Sequence, residues 1–336
     1  MKILITGASG FIGSFLVERA LEEGHEAWAA VRPTSSRKYL RDGRTRFIEL
    51  NLGDEDALRG QLEKHREENG AFDAVIHAAG ATKCRRKEDF FEVNAEGTRR
   101  LARQLTQTGA LRKGGRFVFI SSLSVWGPAH EKDSRPICAA DTPRPNTAYG
   151  NSKLLAESYL RETPGLDYIV LRPTGVYGPR ERDYFIMAQS IARHIDFAAG
   201  FKPQVLTFIY VRDLVQAVFL ALTRGKSGTG YFLSDGGLYS SRTFSDLLQS
   251  ELGVRRVLHF TAPLWLLRTV CFVLEKTSKL TGKTPTLNMD KYRIMKQRNW
   301  RCDIRPACRD LGYRPQWPLP RGVQEAVAWY KKEGWL

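Results

Sequence analysis

At 336 residues, 42% hydrophobic and 11% aromatic, the chain has enough apolar surface to offset the entropy of ordering, which excludes fibres, short peptides and disordered tethers. Its 52 Lys and Arg against 36 Asp and Glu give a net charge of +16, and so basic a protein favours an anionic partner: a phosphorylated cofactor, nucleic acid or an acidic membrane. The five cysteines, at 84, 138, 271, 302 and 308, form no C-x-x-C pair and leave one thiol unmatched, so a reducing cytoplasm is expected and a disulfide framework is not.

The first predicted element is a strand, Lys2–Thr6, whose apolar run is interrupted too early by Thr6, Gly7 and Gly10 to be the core of a secretory signal. Gly7, Gly10 and Gly13 follow at G-x-x-G-x-x-G spacing, ahead of an amphipathic stretch over 11–23. Missing side chains at such a strand-to-helix turn let a pyrophosphate approach the helix N-terminus, so Gly7, Ser9, Gly10, Phe11, Ile12 and Gly13 are the candidate cofactor cradle. A second strand, Glu26–Val31, ends where an acidic residue would bond a ribose 2′-hydroxyl, but Arg32 stands there, followed by Ser35, Ser36 and Arg37. Guanidinium and hydroxyl groups suit a 2′-phosphate, so NADP(H) is predicted, with NAD(H) as the alternative.

Strand-length runs at 46–50, 74–77, 116–121 and 168–172 alternate with helical patterns such as 54–67. That alternation predicts an α/β protein with a Rossmann-type, doubly wound parallel sheet. Tyr149 and Lys153 are four apart in a helical run and share a face, so an ammonium there can lower a phenol's pKa. Ser121, Ser122 and Ser124 follow a strand, where a hydroxyl can bond a substrate oxygen at the carboxyl edge of the sheet. After an excursion at 178–207, a helix over Val211–Thr223 and a strand near 231–233 return to the sheet. The expected domains are therefore discontinuous: residues 1–177 plus about 208–234 bind cofactor, and about 178–207 plus 235–336 form a smaller, mainly helical substrate domain. From 254 to 336 there are 17 basic and 6 acidic residues, a local excess of +11. The longest apolar stretch, 262–274, contains Pro263 and Arg268 and is too short to span a bilayer.

Taken in order, TGASGFIG at 6–13, HAAG at 77–80, VNAEGT at 93–98, ISSLSVWGP at 120–128, YGNSK at 149–153, LRPTGVYGP at 171–179 and YVRDL at 210–214 resemble the extended short-chain dehydrogenase/reductases, the NAD-dependent epimerase/dehydratase family. The resemblance covers nearly the whole chain. It implies that Tyr149 is the acid/base, that Lys153 lowers its pKa and holds the nicotinamide ribose, and that Ser122, with Ser124 as the alternative, bonds the substrate oxygen. It further implies that Asn51 and Leu52 flank the adenine, that Ala78, Ala79, Gly80 and Ser121 line the cofactor cleft with Pro173, Thr174 and Val176, and that Thr82, Ser124 and Tyr177 touch substrate. His77, Asn94, Thr98 and Asp213 read as structural. The remaining histidines lack metal-ligand spacing, so no metal is predicted.

Departures from the pattern bear on substrate. Nucleotide-sugar members carry an Asn and an Arg where this chain has Gly175 and Leu206, although Arg180, Arg182, Arg193 or Lys202 offer substitute cations. The closer likeness is to the dihydroflavonol reductase and 3β-hydroxysteroid dehydrogenase branch, which implies reduction of a bulky hydrophobic carbonyl, a 3-ketosphingoid or a sterol-like ketone by analogy. Nucleotide-sugar epimerisation, dehydration or reduction is the alternative, and an NADP-sensing protein with a basic partner-binding domain the third reading. Along 263–280, Trp265, Leu266, Leu267, Val270, Phe272 and Leu274 accompany Arg268, Lys276 and Lys279, as in a helix that covers a pocket, packs in a core or lies on anionic lipid. No nucleic-acid partner is expected. The resemblance implies a homodimer through helices at 88–107 and 151–162.

Overall fold

The computed structural model describes residues 1–281 and 287–336, with side chains described outside 278–286; Lys279, one of the cations named above, lies outside the described side chains. Its strands in chain order are β1 (Lys2–Thr6), β2 (Glu26–Val31), β3 (Arg46–Glu49), β4 (Phe72–His77), β5 (Leu111–Ile120), β6 (Asp167–Pro173), β7 (Gly175–Tyr177), β8 (Ile195–Ala199), β9 (Phe208–Tyr210), β10 (Thr229–Leu233) and β11 (Leu258–Ala262). Seven of them form one sheet in the order β10-β6-β5-β4-β1-β2-β3, every pair parallel. Alternate residues of β1 face opposite sides, and both sides are buried: Ile3 and Ile5 pack with one apolar cluster and Leu4 with the other. A parallel sheet covered on both faces requires such continuous apolar strands.

Helices α1 (Phe11–Glu22) and α7 (Val211–Thr223) cover one face; α2 (Glu55–Asn69), α4 (Gly97–Gln107) and α5 (Ala148–Arg161) cover the other. Between α2 and α4 lies α3 (Lys87–Phe90), joined to α4 by a π-helical turn, Phe91–Glu96. The chain winds outward from β1 through β2 to β3, then returns to β4 on the opposite side of β1. The strand order reverses between β1 and β4, and in this architecture ligands take the crevice at the carboxyl ends of the strands at such a reversal.

The remaining elements are α6 (Asp183–Ala192), α8 (Thr243–Leu252), α9 (Leu264–Thr281), α10 (Met289–Lys296), α11 (Arg305–Leu311) and α12 (Leu319–Lys332). Residues 178–207 meet the later part of the chain through β8–β11 pairing and a Val205–Asn299 bridge. Beyond 235 the described residues are mainly helical, as expected, with one strand, β11, among them. Its register with β8 puts Phe260 opposite Phe197, and both rings are exposed; an apolar strand facing outward gives no alternation from which a core partner can be inferred. No helix among the described residues is long and apolar enough to cross a membrane.

Candidate active site

The loop after β1 closes against the loop after β4. Gly7 has φ +68°, and a Cβ on it would lie 2.7 Å from the Ala79 nitrogen. A Cβ on Gly13 would lie 2.0 Å from the Gly7 carbonyl oxygen, so α1 starts directly on the turn. Gly10 precedes α1 and no side chain caps that helix, which leaves the first-turn amides at Phe11 to Gly13 open to an anion. Ser9, Phe11, Ile12, Ala78 and Ala79 are half-buried around this cradle, and Gly80 is exposed at its edge.

At the end of β2, Arg32 and Arg37 are exposed and have no carboxylate partner among the described residues. A tight turn holds them: Arg32 N donates to Ser35 Oγ at 3.0 Å, and Ser35 N to the Arg32 carbonyl at 2.9 Å. Ser36 Oγ accepts from Lys38 N at 3.3 Å, and the Arg37 guanidinium lies 4.3 Å from the centre of the Phe47 ring. Beyond β3, Asn51 Oδ1 accepts from Gly53 N at 3.1 Å, while the Leu52 carbonyl accepts from Arg100 Nε at 2.7 Å. These bonds fix the Asn51–Leu52 turn beside the crevice.

Helix α5 carries the central pair. Thr147 caps it by accepting from Gly150 N at 3.0 Å, and Asp290 Oδ2, from α10, accepts from Ala148 N at 2.7 Å. Gly150 is needed for a close approach: a Cβ there would lie 2.5 Å from the Ser124 carbonyl oxygen. The serine turn thus rests on the first turn of α5. Ser122 Oγ accepts from Ser124 N at 3.1 Å and also faces the Tyr149 hydroxyl. Burial raises the Tyr149 pKa above the usual phenol value, with the Ser122 hydrogen bond opposing it.

Lys153 is buried one turn further along. Its Nζ donates to the Ile120 carbonyl at 3.0 Å and lies 4.7 Å from the centre of the Phe119 ring. Burial lowers its pKa to about 8, against the attraction of Glu157. This corrects one sequence expectation: the shared helix face is present, but the ammonium turns to Ile120 and the tyrosine's shift is upward.

Three of the named side chains point into the interior. Ser121 Oγ donates to Glu157 Oε1 at 2.6 Å, beneath the crevice. Thr174 Oγ1 donates to the Thr207 carbonyl at 2.7 Å in the interior. Tyr177, named as a substrate contact, is fully buried, with its hydroxyl on the Leu319 carbonyl at 3.4 Å and its ring against Tyr184, Phe208, Tyr210 and Phe244. Pro173 is also buried; Val176 and Ser124 are half-buried, and Thr82 is exposed.

Glu157 and Arg172 were missed by the sequence reading. Glu157, 2% exposed, accepts from Arg172 Nη2 at 2.7 Å and from Ser121, and the Arg172 guanidinium lies 4.6 Å from the centre of the Trp126 ring. The i,i+4 step from Lys153 to Glu157 was the available signal. His77 is buried between Thr6 Oγ1 at 2.7 Å and Thr98 Oγ1 at 2.9 Å, so both ring nitrogens are engaged. Asn94, on the π-helical turn, donates to Ser152 Oγ at 3.0 Å and accepts from Ala81 N at 2.7 Å, tying α5 to the rim of the crevice. Asp213 accepts from Gln316 N and Trp317 N at 2.9 and 3.0 Å.

A doubly wound sheet, an uncapped glycine turn at its reversal and a Ser, Tyr and Lys set at the same carboxyl edge define a dinucleotide-dependent oxidoreductase. The chain belongs to the NAD dependent epimerase/dehydratase family, whose model matches residues 3–233; it is an NAD(P)-dependent enzyme of the short-chain dehydrogenase/reductase type. It is similar to sterol demethylase protein B of Methylococcus capsulatus, 25% identical over 100% of each chain. It is likewise similar to ceramide reductase of Caulobacter vibrioides, 25% identical over 99% of this chain and 96% of that protein. The crystal structure of DesIV, a dTDP-glucose 4,6-dehydratase from Streptomyces venezuelae with NAD and TYD bound, shares the fold with a TM-score of 0.78 at 24% identity, covering 100% of this chain and 98% of that one.

Proposed function

We propose that this enzyme uses NADPH to reduce a carbonyl on a bulky hydrophobic substrate, or oxidises the matching alcohol. The observation that carries this reading is the aromatic packing at Gly175. A Cβ there would lie 2.4 Å from the Tyr184 hydroxyl, and Tyr184 stacks on Phe244 with ring centres 4.7 Å apart. The position where a nucleotide-sugar enzyme would present an amide is thus filled by an aromatic cluster. Leu206, in place of the corresponding Arg, pairs its backbone with Tyr239. Of the substitute cations, Arg180 is bound to Ser14 and Glu18 on α1, Arg182 lies over Trp335, and Arg193 and Lys202 are exposed at the two ends of β8. A buried diphosphate would be poorly compensated here. The names of the sterol and ceramide relatives support the same substrate class, for which a 3-ketosphingoid or a sterol-like ketone is the proposed type.

The residues fit a dinucleotide: open amides on α1 for the pyrophosphate, Arg32 and Arg37 for a 2′-phosphate, and the half-buried wall of Ala78 and Ala79. When bound, the nicotinamide supplies the hydride. Tyr149, kept protonated by its burial, donates its hydroxyl proton to the carbonyl oxygen, and Ser122 holds that oxygen by a hydrogen bond. Lys153, with a pKa near 8, orients the cofactor ribose and helps restore the proton to Tyr149.

The test is NADPH oxidation with long-chain and polycyclic ketones beside UDP- and dTDP-sugars. Ketone turnover is expected, and Tyr149→Phe should lower it about 100-fold or more while cofactor affinity stays within about twofold. Turnover confined to the sugar nucleotides would establish the alternative reading instead.

A further inference from the structure

The two-stranded β8–β11 sheet is inverted relative to an ordinary surface sheet. Its inward face is polar: Asp196, 4% exposed, accepts from Ser245 Oγ and lies 3.1 Å from His259 Nδ1. Its outward face is apolar: Phe197 and Leu258 are each 65% exposed, and the Phe197 and Phe260 rings stack with centres 5.7 Å apart. Pro263 alone separates β11 from α9, and Gly200 at the end of β8 abuts Leu264 at the start of α9. Helix α9 is apolar on its buried side and exposes further apolar side chains on the other. Leu267 and Cys271 are buried, while Trp265 is 69% and Phe272 53% exposed. Exposed rings on a sheet and on the helix that follows it after a single residue are more than the scattered exposure usual on proteins and mark a contact site.

Charge identifies the occupant. Arg193 and Lys202 flank β8 in the chain, Arg255 and Arg256 precede β11, and Arg268 lies on α9; all are exposed and have no carboxylate partner among the described residues. Large aromatic rings accompanied by cations complement the interface of an anionic bilayer, where rings enter the headgroup boundary and cations meet acidic lipid. A short path joins this surface to the catalytic helix. α10 packs against α9, Glu275 on α9 accepts from Met289 N at 2.9 Å, and the next residue, Asp290, bonds the amide immediately before Tyr149. Lys291 follows, 2.9 Å from Asp183, which also pairs with Lys83 beside Thr82.

We propose that the β8–β11 and α9 face docks on an anionic lipid surface, so that the hydrophobic substrate enters the crevice past α10 from the membrane and not from bulk water. The entry route rests on the carbonyl-reductase reading, whereas the docking stands on the exposed face itself. Flotation of the full-length protein with phosphatidylcholine vesicles, and with vesicles containing about one third phosphatidylglycerol, tests the docking without any turnover. Wild type should float with the anionic vesicles and be released by 0.5 M salt, a bulk ionic strength at which the Debye length is on the order of 4 Å. Phe260→Ser combined with Trp265→Ser should remove most of the floated protein, and Arg255→Glu with Arg268→Glu should lower partitioning more than tenfold. Unchanged thermal melting and NADPH affinity would show that the variants fold. Wild type remaining below both kinds of vesicle, or the serine variant floating like wild type, would overturn the docking. So would a concentration-dependent dimer abolished by the serine variant, since a second copy would then own the face. With a ketone that is turned over in detergent, the serine variant should match wild type there but lose activity when the ketone is presented in anionic vesicles; equal rates in vesicles would reject the entry route. A lack of ketone turnover in detergent would refute the carbonyl-reductase reading and leave the flotation result standing.

Discussion

The seven-stranded sheet and the β8–β11 pair use similar strand-forming residues to opposite ends. In the large sheet, β1 buries Ile3, Leu4 and Ile5 because helices cover both of its faces. In the small sheet, Phe197 and Phe260 remain in solvent while Asp196 is the buried group. Apolar strand residues thus indicate a buried face only where another element exists to cover them, and an uncovered face asks for a partner.

The comparison can be broken first at a buried ion pair below the crevice. Glu157→Gln would leave the Arg172 guanidinium without its counter-ion, and the expected loss is about 3 kcal/mol in chemical denaturation; a loss under about 1 kcal/mol would show that the network below the crevice adds little. Next comes the basic turn after β2. Replacing Arg32 and Arg37 by Ala should weaken NADPH about tenfold or more and change NADH about twofold at most, as read by cofactor titration. Equal losses for both cofactors would remove the 2′-phosphate assignment.

A pH series sharpens the contrast in the large sheet. Burial, helped by the Lys153 charge, holds the His77 pKa at about 3, below its ordinary value of 6.5. Between those values the unfolded chain binds a proton that the folded protein does not, so this group's effect is to lower stability as pH falls through the window. From pH 7.5 to pH 5.0 the His77 share should be about 2 kcal/mol, and His77→Gln should flatten the dependence by that amount in urea titrations. The smallest effect is expected on the uncovered face. Trp265→Ser should shift stability by no more than about 0.5 kcal/mol in solution, because 69% of its surface is already exposed.

Much of the site is written in local spacing. The glycine turn, the four-residue step from Tyr149 to Lys153 and Arg32 at the end of β2 depend on strand-to-helix geometry, which a single stretch of chain contains. Asp290 against Ala148 and Arg172 against Glu157 are contacts between segments 142 and 15 residues apart, and no local pattern announces them. The misplacement of Tyr177 has the same origin. A tyrosine beside a predicted crevice looks like a ligand contact until Phe208, Phe244 and Leu319 arrive from elsewhere in the chain to enclose it.

By itself the sequence determined the doubly wound sheet, because apolar periodicity and glycine placement act within one turn or one strand. It likewise placed Tyr149 and Lys153 one helical turn apart and Arg32 at the end of β2. Only the tertiary structure decided that the Lys153 ammonium turns to Ile120, that Gly175 is closed by Tyr184, and that Phe260 and Trp265 stay outside. Burial sets the electrostatics of an ionisable group and the exposure of an aromatic one, and burial is a property of everything packed around a residue, not of its neighbours in sequence.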